Sequence, residues 1–127
     1  MRMWMVNPVY MCDRHLLGGE HVEIHMLVSS IGMGRNIGGF LERKLVDPSS
    51  ALRRHEEIVG GEMLKRGGFR HTSPLEGGVE RIQHLLVSNP LDAEANLTEL
   101  LSRCQRCRQR YREVRSLCPP SGQAHRP

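Results

Sequence analysis

Aromatic side chains are scarce: the 127 residues contain five, at Trp4, Tyr10, Phe40, Phe69 and Tyr111. A core made from this chain must therefore rest on Leu, Val, Ile and Met, and the length allows one modest core. Long apolar runs are missing too, and none approaches the roughly 20 residues of a membrane-spanning helix. The short apolar start is interrupted at Asn7-Pro8, so no secretory signal is read there and the expected location is the cytoplasm. Cysteine is limited to positions 12, 104, 107 and 118. Without an export signal these are expected to be reduced thiols rather than a disulfide framework. No alternating strand pattern and no internal repeat is present. The loop Gly32-Met-Gly34-Arg-Asn-Ile-Gly38-Gly39 has no preceding strand and misplaces its third glycine, so it is not a dinucleotide-binding turn. No cofactor follows from the sequence.

Acid is what the C-terminal end lacks. From Leu101 onward there are seven arginines (103, 106, 108, 110, 112, 115 and 126) and one carboxylate, Glu113. That local +6 leaves the first hundred residues near −2 within a whole-chain charge of +4. Such asymmetry suits an anionic partner, nucleic acid first, and equally a solubilising tail.

What is present is helical. Asp13 is a plausible N-cap, and beyond the Gly18-Gly19 doublet Ile24, Leu27 or Val28, and Ile31 recur at helical spacing up to Gly32. A second helix is expected from Asp47-Pro48-Ser49-Ser50 through Leu52, His55, Ile58, Val59 and Met63 to Lys65-Arg66, closing at Gly67-Gly68. Its internal Gly60-Gly61 costs about 1 kcal/mol per glycine against Ala, and a close helix–helix approach is the expected compensation. Residues 70–90 read as turn-rich with a helical piece near 79–87. A third long helix starts near Asp92 and ends at Pro119-Pro120. The expected architecture is all-α: one compact domain over 1–118, three principal helices with long connecting loops, and a disordered tail at 119–127.

Chemistry concentrates in Asp13-Arg14-His15-Leu16-Leu17-Gly18-Gly19-Glu20-His21-Val22-Glu23-Ile24-His25. Three histidines, three carboxylates and an arginine in thirteen residues make a face that no core accommodates cheaply. His21 and His25, four apart, can share a metal on one helix face. Glu23 lies about 200° round the helix from each at 100° per residue, so it points away from such a metal. Cys104-x-x-Cys107 with Cys12 or Cys118 can form a zinc site, but a single CxxC in a helix is more often a pair of packed thiols. No metal is therefore assigned.

Met1-Arg2, Asp13-Arg14-His15-Leu16-Leu17, Glu20-His21-Val22-Glu23, Leu52-Arg53-Arg54 and Glu62-Met63-Leu64-Lys65-Arg66-Gly67, with Phe69 after it, together resemble the pyrimidine-dimer DNA glycosylase family of the endonuclease V type. Similarity continues through His71-Thr72-Ser73-Pro74-Leu75 and the Arg103-Cys104-x-x-Cys107 segment. The resemblance is strongest over residues 1–75. It implies a DNA repair glycosylase with abasic-site lyase activity on UV-induced pyrimidine dimers in double-stranded DNA. The nucleophile in that family is the α-amine of the mature N-terminal residue, followed by an arginine, with a glutamate on the first helix as the second essential group. Those roles fall on Met1, Arg2 and Glu23. Arg2 should block removal of Met1, so Met1 itself would supply the amine once deformylated.

An α-amino group ordinarily titrates near 7.7–8.0, against about 10.4 for lysine, so a useful fraction is neutral at physiological pH. Arg2 is expected to favour the neutral amine and to hold a phosphate. Glu23 would stabilise the cationic sugar and assist elimination, and a like charge on Glu20 could keep it protonated, unless both carboxylates are simply solvated. The resemblance places Arg14, His15 and His21 at the DNA, with His15 alternatively a hydrogen bonder at the helix start. Arg53 and Arg54 add phosphate contacts or merely form an exposed helix face. Arg103, Arg106 and Arg110 form one basic stripe on the last helix. Val22 and Met26 stand where family members carry arginines, Gly18-Gly19 holds one glycine more than the usual spacing, and an Arg-rich helix replaces an aromatic-rich C-terminus. A monomer is expected. From another class, the same arginines suit a non-catalytic DNA-binding protein with steeply salt-dependent affinity.

Overall fold

The period read between Ile24 and Ile31 takes shape in the computed structural model as the last part of a helix α1, residues 13–32, whose Leu16, Ile24, Leu27, Val28 and Ile31 are buried. The structure describes residues 1–67, 75 and 79–117. Phe69, the 71–74 part of the family-like segment, Cys118 and the tail expected at 119–127 lie outside the described residues. Among the described residues all regular structure is helical. No helix there is long and apolar enough to cross a membrane.

Helix α1 changes register along its length, with α geometry over Asp13–His15, π geometry over Leu16–His21 and α again over Val22–Gly32. A π turn holds one more residue than an α turn. The extra glycine of Gly18-Gly19 is thus taken into the helix instead of interrupting it. A Cβ at Gly19 would lie 3.4 Å from the Arg14 carbonyl, and one at Gly18 would meet nothing within 4 Å. Cys12, in extended conformation, occupies the N-cap position, and Asp13 falls in the first turn.

A short α2 spans Gly38–Glu42, and α3 spans residues 48–65, opening at Pro48 as expected. It too contains a π segment, Ile58–Glu62, which absorbs Gly60-Gly61. Close helix packing is not the reason for that pair. A Cβ at Gly61 would meet nothing within 4 Å, and one at Gly60 only the Glu56 carboxylate at 3.9 Å. Gly67, at φ +119°, ends the helix where a side chain would be strained. A short α4 covers residues 79–85.

Where one long third helix is expected, two stand: α5, Ala93–Arg103, and α6, Gln105–Leu117. Asp92 caps α5 by accepting from the Ala95 N–H at 3.0 Å. Cys104 breaks the pair with an extended backbone, φ −121° and ψ 112°. The break lets α6 fold back over the lead-in turn Pro8–Tyr10, where the Tyr10 and Tyr111 rings pack at 4.7 Å between centres, tilted by 60°.

Buried charge clamps these elements. Arg66 reaches Glu62 and Asp13, both at 2.8 Å, and donates to the Pro8 and Met11 carbonyls. Arg110 joins the Glu62 carboxylate at 3.2 Å and donates to the Val9 carbonyl at 2.8 Å. The conspicuous Glu62-to-Arg66 motif therefore fastens α3 to the lead-in and to α6. The N-terminal six residues thread through the same interior, with Met3, Trp4 and Val6 buried.

Candidate active site

Burial of Met3, Trp4 and Val6 determines where the chain start lies. Met3 donates its N–H to the Leu45 carbonyl at 2.7 Å, and Asn96 donates its side-chain amide to the Trp4 carbonyl at 2.9 Å. Held this way, the Met1 amine stands 3.8 Å from the Glu23 carboxylate, and the Arg2 backbone N–H donates to the same oxygen. Met1 is only 8% exposed at its side chain and Glu23 33%, so the pair is sheltered yet reachable. A primary amine beside a half-open carboxylate is an arrangement for nucleophilic attack with proton transfer at hand.

The Arg2 guanidinium turns away from the amine. It forms a two-pronged pair with Glu99 at 2.9 and 3.1 Å, donates to the Asn96 side-chain oxygen at 3.1 Å, and lies 3.7 Å from the centre of the Trp4 ring. Both terminal nitrogens of the Arg2 guanidinium, from which a phosphate grip was expected, are engaged by a carboxylate and an amide, contacts that position the N-terminal segment. Hydrogen bonding from Arg2 holds the Glu99 carboxyl below its ordinary value of 4.5 against the opposing effect of burial, and the charges of Arg2 and Arg103 add to it. A depressed carboxyl contributes stability above its unfolded value and loses it as pH falls through the folded one. Native protein should therefore lose more thermal stability than Glu99→Gln between neutral pH and values below 4.5. Melting curves across that range check this, and parallel losses would remove the pair from the stability account.

Glu20 is fully buried and engaged two-pronged by Arg54, at 2.7 and 2.9 Å, while Arg54 also reaches Glu57 at 2.6 Å. Burial alone would disfavour the Arg54 charge, but Glu20 and then Glu57 raise its pKa above the ordinary arginine value. Two expectations fall here. Arg54, 2% exposed, is not on a DNA face, and the charge of Glu20 is answered by Arg54 rather than directed at Glu23. Glu20 also accepts the Met5 N–H at 3.4 Å, so this pair helps to seat the N-terminal segment.

His21, expected at the DNA, is buried. It meets His25 of its own helix and His55 of α3, with ring centres 5.0 and 5.3 Å away. His25 and His55 approach at 3.1 Å between Nε2 atoms, and Glu56 lies 3.0 Å from the outer nitrogen of His55. The three histidines offer ligand atoms within 4.8 Å of one another, so a metal ion fits there. His55 could not be paired with this cluster from spacing, because it belongs to another helix.

His15 takes the second of its two expected roles, a hydrogen bonder at the helix start, beside the N-cap residue Cys12. Its Nδ1 lies 3.4 Å from the Cys12 sulfur and 3.8 Å from that of Cys107. Burial, then the neighbouring Arg14 charge, lowers its pKa, with Glu23 opposing. Burial also raises the Cys107 thiol to about 12, while hydrogen bonds, led by the Cys107 backbone N–H, lower Cys104 against its own partial burial.

Of the remaining cations, Arg14, Arg53, Arg103 and Arg106 are exposed. Arg110 is not a free member of a basic stripe, since it is drawn to Val9 and Glu62, and the break at Cys104 takes Arg103 out of register with Arg106. A surface cleft is lined by Arg2, Arg43, Lys44 and Arg103 together with the carboxylates of Asp92 and Glu99, and the sequence singled out neither Arg43 nor Lys44.

Residues 1–77 match the family model described as pyrimidine dimer DNA glycosylase. The match takes in Met1, Glu20, Glu23, Arg54 and all three clustered histidines, and stops short of α5 and α6. No curated protein and no solved structure matches the chain.

Proposed function

The chain belongs to the pyrimidine dimer DNA glycosylase family, and on that premise we propose that it excises a damaged pyrimidine and then nicks the strand through a Schiff base on Met1. The observation that carries this reading is the Met1 amine 3.8 Å from Glu23. The neutral amine adds to the anomeric sugar carbon, and the glycosidic bond breaks with its electron pair leaving on the base. Loss of the amine proton and opening of the sugar ring leave an imine between Met1 and the sugar. Glu23 faces the positive charge that develops on sugar and nitrogen; it takes the proton lost by the amine, returns it to the ring oxygen as the sugar opens, and is then free to accept the C2′ proton. The imine then acidifies the adjacent C2′–H. Its removal expels the 3′-phosphate, and water returns the free amine.

DNA grip falls to the exposed cations Arg14, Arg53, Arg103 and Arg106, joined by Arg43 and Lys44 of the cleft. Base extrusion is the general solution for enzymes that act on a stacked base. Buried Arg54 and Glu20, with Arg2 and Glu99, act through the position of the N-terminal segment.

Borohydride decides the chemistry. Reduction in the presence of duplexes carrying an abasic site or a cyclobutane dimer should yield a covalent protein–DNA species, and an undamaged duplex should yield none. Absence of trapping with retained, steeply salt-dependent binding would replace this reading by a non-catalytic DNA-binding protein. A residue added ahead of Met1, verified by intact mass, should abolish trapping. Persistence of the cross-link would move the nucleophile elsewhere.

A further inference from the structure

Outside the amine–carboxylate pair, four side chains able to ligate a metal converge at Cys12, His15, Cys104 and Cys107. Their three sulfurs and one imidazole nitrogen all lie within 4.8 Å of one another. We propose that these four residues bind one zinc ion in a closed, structural site. This proposal stands independently of the glycosylase reading.

Geometry carries the argument. Zinc takes thiolate sulfur at about 2.3 Å and imidazole nitrogen at about 2.0–2.1 Å in a tetrahedron, which sets sulfur–sulfur edges near ~3.8 Å and sulfur–nitrogen edges near ~3.6 Å. Cys12 and Cys104 sulfurs stand 3.8 Å apart, and His15 Nδ1 is 3.4 and 3.8 Å from the sulfurs of Cys12 and Cys107. The four residues form two short units of equal spacing, Cys12-x-x-His15 and Cys104-x-x-Cys107, far apart in the chain. Each unit also presents the backbone donors that a thiolate needs. The Cys12 N–H points at the Cys107 sulfur at 3.2 Å, and the Cys107 N–H at the Cys104 sulfur at 3.4 Å.

Local backbone agrees with that purpose. Cys104 leaves helical conformation between α5 and α6, and Cys12 is extended at the start of α1, so both units sit at helix boundaries where the side chains can turn to one point. Three thiols release their protons as they bind, and the thiolates with a neutral imidazole leave the site at −1. Four protein ligands leave no open position, which marks a structural rather than a catalytic ion. The ion ties the start of α1 to the helices beyond residue 77, where the family match ends. A small domain with few aromatics gains most from such a staple.

The test uses untagged full-length protein. Expected is one zinc per chain that resists dialysis, a fall of the melting temperature by 10 °C or more on chelation, on the order expected for a structural ion, and its recovery on adding zinc. Replacement by Co(II) should give sulfur-to-metal charge-transfer bands and the intense visible bands of a tetrahedral centre. Cys104→Ser should lose the metal, whereas His15→Cys should retain it with a stronger thiolate band. Three results overturn the proposal: protein that takes up no zinc under reducing conditions, cobalt without charge-transfer bands (which places the ion at His21, His25 and His55), or a Cys12–Cys104 disulfide in freshly isolated protein. Because the cobalt spectrum and the chelation shift are read on the native chain, they decide the matter even where a variant fails to fold.

Discussion

Glu23→Gln should bind damaged duplex about as tightly as the parent and cleave it at least about 100-fold more slowly, the scale of a lost general acid–base group. The side chain keeps its shape and an oxygen that can accept the Arg2 N–H, so the N-terminal segment has no reason to move. Its position depends on the burial of Met3 and Trp4 and on the Leu45 and Asn96 hydrogen bonds, none of which involves the Glu23 charge. What is lost is the negative charge facing the Met1 amine and the ability to move a proton there. Single-turnover cleavage of an abasic duplex, with binding measured on the same batch, separates these effects. Nicking at the parent rate would remove Glu23 from the chemistry. Loss of binding and cleavage together would make it a structural anchor.

Arg54→Ala should destabilise the fold by about 3–5 kcal/mol, because it leaves Glu20 charged and buried without a partner. In a domain of this size that corresponds to a melting temperature lower by on the order of 10 °C or more. Glu20→Ala should cost a similar amount, and removing both charges by Arg54→Met with Glu20→Leu should recover much of the loss. Recovery should stop short of the parent, since Glu20 also accepts the Met5 N–H and Arg54 also reaches Glu57. Arg53→Ala, one residue away and exposed, should change stability by less than about 0.5 kcal/mol while weakening DNA binding and flattening its salt dependence. If Arg54→Ala leaves the melting temperature unchanged, the Glu20–Arg54 pair does not hold the N-terminal segment.

Arg53 and Arg54 show where spacing stops informing. Both lie in α3, and neighbouring residues on a helix point about 100° apart. One side chain therefore reaches solvent while the other enters the interior, and nothing local says which. Length does not hint at it either, since arginine is a good phosphate ligand and an equally good partner for a buried carboxylate. The same holds for His21, which reads as a substrate-facing polar residue and turns instead toward other histidines. The Gly60-Gly61 pair was misread as a packing site for a related reason. Both Gly18-Gly19 and Gly60-Gly61 sit in π turns, and a π turn is a change of helical register with no distinctive composition.

Helices, by contrast, were legible because their determinants are local. The apolar period of α1, the Asp47-Pro48 and Asp92 starts and the Gly67 stop all act within a turn or two of the residues concerned. The match between the chain start and the acid-rich stretch of α1 was also open to reading, since a short lead-in limits where the amine can go. By itself, then, the sequence determined an all-helical chain, its main helix starts and its family. Only the tertiary structure decided that α6 folds back at Cys104, that Arg2, Arg54 and Arg110 hold the fold together, and that Cys12 and His15 meet Cys104 and Cys107 from about ninety residues away. Such pairings depend on which helix faces meet when the core is buried, a property of the whole chain that no local spacing encodes.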